Sequence, residues 1–110
     1  MKILFVENHA RFAAATVKAF LALHDVTVVA SVAAARGVFD NDNFDVLLVD
    51  YDLDDGKGSE FIEAIRQKTR VPIIAVSSHQ EGNHRLLQAG ADAVCSKMNF
   101  RNIAEVMAQL

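Results

Sequence analysis

Short apolar runs recur along this chain, and each is separated from the next by a segment with a different pattern. Each run has between three and six residues, which suits a strand and is too short for a helix. The runs are continuous rather than alternating, which is typical of strands that are covered on both faces. We predict strands at residues 3–6, 26–30, 46–49, 71–76 and 93–95.

Helical signals follow each of these runs. Residues 10–23 carry apolar side chains at helical spacing, and a second helix is predicted from Ser31 to about Phe39. The acidic, glycine-bearing segment 52–58 is predicted to be a loop. The remaining signals are N-cap residues at Ser59 and Asn99, and Gly90, which is suited to end a helix.

The alternation amounts to five βα units, which favours a parallel sheet with helices on both faces. We therefore predict an α/β fold, a doubly wound, flavodoxin-like (βα)5 arrangement with strand order 2-1-3-4-5. In that order the first and third strands flank the switch point, where ligands bind beyond the carboxyl ends of the strands.

Composition narrows the classes of protein. The 110 residues suit one domain spanning 1–110, and 52% hydrophobic with 23% charged residues indicate a globular chain. A net charge of -3 without a basic cluster argues against direct nucleic-acid binding. The chain has no apolar stretch long enough to span a membrane, and Cys95, its single cysteine, is predicted to be a buried hydrophobe. We expect a cytoplasmic protein.

Polar residues collect at the predicted carboxyl ends of four of the five strands. Because parallel strands end at the same edge of the sheet, these side chains are expected to form one cluster, with Asp50 at its centre. The cluster comprises Glu7 and Asn8 after the first strand, Asp50, Asp52, Asp54 and Asp55 after the third, Ser77 and Ser78 after the fourth, and Ser96 and Lys97 after the fifth.

Such a cluster has a definite chemistry. Carboxylates ~5 Å apart repel by roughly 3 kcal/mol per pair, so a lysine or a divalent cation is needed to offset the repulsion. A few oxygen ligands suit Mg²⁺, which also binds phosphate oxygens. An aspartate beside Mg²⁺ and a lysine can attack phosphorus and form an aspartyl-phosphate.

These residues resemble the receiver domain of two-component response regulators over essentially the whole chain. The order and spacing of the motifs carry the resemblance more than any one of them. The matching segments are Ile3–Asn8, Asp45–Leu53, Gly58, Val76–Ser78, Ala89–Asp92 and Lys97 with Phe100.

The resemblance implies a role for each site residue. Asp50 would be the phosphoacceptor, Ser77 the hydroxyl that contacts the phosphoryl group, and Lys97 its cationic partner. Mg²⁺ would be bound by Glu7, Asn8, Asp50 and the backbone carbonyl of Asp52. The chain would be no enzyme beyond self-phosphorylation and autodephosphorylation.

The resemblance also implies partners. A sensor histidine kinase or a histidine phosphotransfer protein would donate the phosphoryl group. A downstream protein or output domain would read the face formed by the fourth helix, fifth strand and fifth helix. Neither nucleic acid nor a membrane is expected as a direct partner.

Four positions depart from the family pattern. Asn8 replaces an aspartate and removes one charge, so the affinity for Mg²⁺ should fall. Met98 replaces the proline after the lysine, which makes a cis bond less favourable and puts the reach of Lys97 in question. Val94 stands at the aromatic switch position, and Asp54 replaces a loop proline.

Other hypotheses remain open at this point. The departures favour a receiver-like interaction module that is not phosphorylated. The pair Asp50 and Asp52 also fits the Asp-x-Asp motif of haloacid-dehalogenase-type phosphatases, although that motif normally follows a first strand. A flavin site would suit the topology but not an acidic pocket. His9 could touch a ligand, but a surface or capping role is the simpler interpretation.

Overall fold

A computed structural model describes residues 1–110 and contains a five-stranded parallel sheet with helices on both faces. In chain order the elements are β1 (Lys2–Val6), α1 (Ala10–Phe20), β2 (Asp25–Val29), α2 (Val32–Asn41), β3 (Val46–Val49), β4 (Asp52–Leu53), β5 (Gly56–Lys57), α3 (Gly58–Arg66), β6 (Ile73–Ala75), α4 (Gln80–Ala89), β7 (Ala93–Val94), a 3₁₀ helix (Lys97–Asn102) and α5 (Ile103–Ala108). The sheet order is β2-β1-β3-β6-β7, which is the predicted order once the two short strands β4 and β5 are set aside.

Two apolar clusters cover the two faces of the sheet. Successive side chains of a strand point to opposite faces, so Leu4 joins one cluster while Phe5 joins the other. The first cluster packs against α2, α3 and α4, and the second against α1 and α5. The central strands β1 and β3 are therefore buried on both sides, as their continuous apolar sequences predict.

The chain departs from the predicted helix bounds where the tertiary structure requires a turn. Helix α1 ends at Phe20 rather than near residue 23, because the chain must turn before Asp25 pairs with Lys2. Helix α3 begins at Gly58, so Ser59 lies in its first turn and is not its N-cap. Asn99 has a non-helical backbone within the 3₁₀ helix, and Asn102 precedes α5 instead.

Two helix signals are confirmed by the geometry. The Ser31 hydroxyl accepts a hydrogen bond from the backbone N–H of Ala34 and caps α2. Gly90 ends α4 with φ +127°, a conformation that favours glycine. None of the helices has the length and apolar character needed to cross a bilayer.

The predicted loop 52–58 instead contains a small antiparallel hairpin. Asp52 pairs with Lys57 and Leu53 with Gly56, and the Asp52 carboxylate forms an ion pair with the Lys57 ammonium. The hairpin leads directly into α3. Its two-residue strands give too little alternation to be recognised in the sequence.

Gly58 lies where this hairpin returns to the end of β3. Its N–H donates to the carbonyl of Tyr51 at 2.6 Å, and a Cβ atom at this position would lie 1.9 Å from the Asp50 carbonyl oxygen. Only glycine permits this close approach, so Gly58 helps to fix the backbone on which Asp50 is placed.

We expect Gly58→Ala to lower the free energy of unfolding by roughly 3 kcal/mol, because backbone atoms must move to admit the methyl group. Gly37→Ala is the matched control. Gly37 is an exposed residue of α2, and a Cβ atom there would meet nothing within 4 Å. That control should stabilise the fold by about 0.5–1 kcal/mol. Urea unfolding measures both, and equal effects would contradict the close approach at Gly58.

Candidate functional site at the carboxyl edge of the sheet

The parallel register brings the carboxyl ends of the central strands together. The Asp50 N–H donates to the Val6 carbonyl at 2.9 Å, which aligns the residues that follow β3 with those that follow β1. Glu7, Asp50 and Ser77 are 1%, 4% and 3% exposed, although each bears a polar side chain. Polar groups this well buried need partners, so their contacts indicate what the site can do.

The Lys97 ammonium lies between the two buried carboxylates. Its Nζ atom is 2.7 Å from Asp50 Oδ2 and 3.0 Å from Glu7 Oε2. The same Nζ atom lies over the ring of Phe12, 5.0 Å from the ring centroid. All peptide bonds are trans, so Met98 in place of proline does not prevent Lys97 from reaching Asp50.

Burial, hydrogen bonds and neighbouring charges together shift the pKa values of Glu7 and Lys97. Burial raises the pKa of Glu7, and the neighbouring Asp50 charge adds to this, against the hydrogen bond from Lys97. For Lys97, burial lowers the pKa, but hydrogen bonds to Asp50 and Glu7 outweigh it and the net shift is upward. Lys97 is therefore charged at neutral pH and offsets part of the repulsion between the carboxylates.

His9, which the sequence named as a residue that could touch a ligand while favouring a surface or capping role, lies at this site. Its Nδ1 atom lies 3.0 Å from Glu7 Oε2 and 3.3 Å from Lys97 Nζ, while its side chain is 66% exposed. His9 also occupies the N-cap position of α1 without a side-chain capping bond. Only its position two residues after Glu7 could have suggested the contact.

The site has the donor atoms that a cation needs. Ligand atoms of Glu7, His9 and Asp50 all lie within 4.8 Å of one another. Two buried oxygens have no hydrogen-bond partner, Asn8 Oδ1 and Glu7 Oε1, the latter 2.9 Å from Lys97 Nζ but poorly directed. Buried carboxylate and amide oxygens that lack a hydrogen-bond partner fit a hard divalent ion such as Mg²⁺.

The acidic residues after β3 do not act as one group. The Asp52 side chain is 61% exposed in its pair with Lys57, and Asp55 accepts the N–H groups of Val32 and Ala33 at 2.6 and 3.0 Å. Asp54 makes only a 3.4 Å contact with the Asn8 amide. The expectation that all four carboxylates cluster is therefore wrong for Asp52 and Asp55, which pair with Lys57 and with the start of α2, while Asp54 reaches the site only at Asn8.

The three serines of the predicted cluster also have separate roles. The Ser77 hydroxyl is buried and accepts the His79 N–H at 3.2 Å, whereas Ser78 is exposed. Ser96 accepts the Met98 N–H at 3.3 Å and caps the 3₁₀ helix. Ser77 is thus the buried hydroxyl at the edge that holds Asp50 and Lys97.

A shallow groove of about 470 Å³ lies beside this site, between α4 and β7. Leu87 and Val94 line it and are 40% and 37% exposed, and Met98 next to it is 80% exposed. This is the face that the sequence predicted as the output surface. Val94 has no hydrogen-bonding group that could reach the Ser77 hydroxyl.

Comparison with solved structures agrees with this fold. A CheY-like response regulator receiver domain protein from Methanospirillum hungatei is 26% identical, with a TM-score of 0.85, covering 98% of this chain and 90% of the other. The response regulator TrrA from Thermotoga maritima, solved with Mg²⁺ and BeF, has a TM-score of 0.87 at 20% identity, covering 98% and 96%.

Sequence comparison identifies the family. The model of the response regulator receiver domain matches residues 3–108, so this chain belongs to that family, as the motifs predicted. The KDP operon transcriptional regulatory protein KdpE of Escherichia coli is 42% identical over 55 residues, which are 48% of this chain. That match spans only 24% of the length of KdpE.

The capping role of Asp55 gives a pH dependence. Hydrogen bonds from the Val32 and Ala33 backbones hold the pKa of Asp55 below its ordinary value of about 3.9. Its contribution to stability is therefore present above that value and is lost as the pH falls through the folded-state pKa. We expect Asp55→Ala to unfold at lower urea than wild type at pH 7, with the difference shrinking as the pH falls below the ordinary aspartate pKa.

Asp54→Ala is the control for this prediction, because Asp54 lies in the same loop but makes no hydrogen bond to α2. Urea midpoints at several pH values measure both variants. A difference for Asp55→Ala that stays constant on acidification would contradict the capping role.

Proposed function

We propose that Asp50 is the phosphoacceptor of this receiver domain and that residues 1–110 form the domain as a whole. The observation that carries the proposal is the buried Asp50 carboxylate, 2.7 Å from the Lys97 ammonium and beside Glu7. A nucleophile on phosphorus needs nearby positive charge to accept the negative phosphoryl group. Lys97 supplies one such charge, and a divalent ion bound by the oxygens of Glu7 and Asn8 would supply more.

The step is a transfer between two protein side chains. An Asp50 carboxylate oxygen attacks the phosphorus of a phosphohistidine, the oxygen–phosphorus bond forms and the nitrogen–phosphorus bond breaks. The electron pair returns to the donor imidazole, which then takes a proton. Lys97 and the Ser77 hydroxyl would bond the phosphoryl oxygens, and water would later hydrolyse the acyl phosphate and restore Asp50.

Mg²⁺ would be bound by Glu7, Asn8, Asp50 and the backbone carbonyl of Asp52, with His9 beside them. Bound there, the ion neutralises charge on the phosphoryl group as it is transferred. Lys97 presently contacts both carboxylates, so its ammonium would have to yield some of these contacts to the ion. The TrrA structure contains this ion with a beryllium fluoride.

We also propose which proteins donate the phosphoryl group and which surface of the domain passes on the signal. The phosphoryl donor would be a sensor histidine kinase or a histidine phosphotransfer protein. A downstream protein or output domain would bind the face formed by α4, β7 and α5, in the cytoplasm. The family is one of signalling domains, so turnover would be limited to self-phosphorylation and autodephosphorylation.

The alternatives have less support. A phosphatase would need Asp52 as its acid and base, but that side chain is exposed and paired with Lys57. A receiver that is never phosphorylated would need a disrupted site, yet Asp50, Lys97 and Glu7 are in contact. The charge that is lost at Asn8 is the strongest argument for a receiver that is never phosphorylated.

The first test is phosphorylation by acetyl phosphate with Mg²⁺, followed by intact mass. The native protein should gain the mass of one phosphoryl group and Asp50→Asn should gain none, because the amide is not a nucleophile. Asp40→Asn is the matched control, since Asp40 pairs with Lys68 away from this edge and should label like the native protein. Equal labelling of the native protein and Asp50→Asn, or labelling of neither, would refute the phosphoacceptor role.

The second test concerns the metal. Asn8→Asp restores one charge, so the dissociation constant for Mg²⁺ should fall by at least about tenfold. Tyr51 is the single tyrosine, there is no tryptophan, and Tyr51 adjoins Asp50, so its fluorescence reports the titration. Unchanged Mg²⁺ affinity in this variant would contradict the assignment of Asn8 to the metal site.

A further inference from the structure

Asn83 is a buried polar residue that the proposed chemistry does not use. It lies in the first turns of α4 and is 7% exposed. Its Oδ1 atom accepts the Ser77 N–H at 2.8 Å, and its Nδ2 atom donates to the Ser77 carbonyl at 2.9 Å. One side chain thus satisfies both backbone groups of the residue that bears the site hydroxyl.

Ser77 needs this partner because β6 has already ended. The strand stops at Ala75, and the neighbouring backbone reaches Ser77 only through a 3.4 Å contact from the Lys97 N–H. The Asn83 amide carries an acceptor oxygen and an N–H donor side by side, so it takes the place of the backbone groups that a neighbouring strand would supply. The Ser77 carbonyl then lies between Asn83 and the backbone of Lys97.

The start of α4 also packs directly against the site. A Cβ atom at Gly82 would lie 2.7 Å from the Ser77 hydroxyl oxygen and 3.1 Å from the Tyr51 Cβ atom. A side chain at position 82 would therefore collide with Ser77, and the glycine lets α4 pack closely against it. A movement of Ser77 must be accompanied by a movement of the first turn of α4, or must break the bonds to Asn83.

We propose that Asn83 is a positioning residue that holds Ser77 at the Asp50 site and transmits the displacement of Ser77 to α4. The inference rests on the proposed phosphorylation of Asp50. Val94 has no hydrogen-bonding atom with which to follow the Ser77 hydroxyl, whereas Asn83 is already bonded to Ser77. The link therefore runs from Ser77 through an amide side chain into the helix that borders the output groove.

The test uses the full chain with Mg²⁺ and beryllium fluoride, followed by amide spectra of ¹⁵N-labelled protein. In the native protein the amide signals of Ser77 and of α4 should shift together. In Asn83→Ala the shifts along α4 should be lost or strongly reduced, and acetyl phosphate should label Asp50 at least about fivefold more slowly. Asn83→Asp keeps the acceptor and loses the donor, so it should be intermediate and covers the case in which the alanine variant does not fold.

Asn41→Ala is the control, since Asn41 is exposed on α2 and its side chain bonds only to the Gly37 carbonyl. It should behave like the native protein in both measurements. A merely structural Asn83 would lower the melting temperature yet leave the α4 shifts and the labelling rate unchanged in folded protein. That result in Asn83→Ala, or in Asn83→Asp if the alanine variant is unfolded, would overturn the role of Asn83 and leave the proposed function standing. A native protein that responds neither to beryllium fluoride nor to acetyl phosphate would overturn both.

Discussion

The Lys97 ammonium, held between the carboxylates of Asp50 and Glu7, is the contact around which the rest of this edge is organised. Two carboxylates with almost no exposure would repel each other strongly, and removing one partner from such a buried group costs roughly 3–5 kcal/mol. The contact also joins residues far apart in the chain, because Lys97 follows β7 while Glu7 and Asp50 follow β1 and β3. The sheet must be assembled in full before this charge arrangement exists.

Several neighbouring residues hold the Lys97, Asp50 and Glu7 side chains and the Ser77 backbone in place. Gly58 allows the hairpin to approach the Asp50 backbone, and Asn83 satisfies the backbone of Ser77 where its strand has ended. The ring of Phe12 lies beneath the Lys97 ammonium. Each of these residues limits the freedom of one charged or polar group, which is what a site of fixed geometry requires.

The fold was predictable because it depends on local patterns repeated five times. Apolar runs such as 46–49 and the cap at Ser31 each specify one element, and the strand order follows from the general rules of parallel sheets. The hairpin at 52–58 was missed because its strands have two residues each. The N-terminus of α3 was misplaced for the same reason, since it is set by the end of that hairpin rather than by Ser59.

The five βα units, the edge at which polar residues gather and the family of the chain could all be predicted from the amino-acid sequence. Local hydrophobic pattern and motif order carry that information. Which polar residues meet is known only from the folded chain: Asp55 caps α2, Asp52 pairs with Lys57, and His9 and Asn83 lie at the site. Side-chain contacts between distant segments depend on strand register and on the path of each loop, and neither is encoded by a residue's neighbours in the chain.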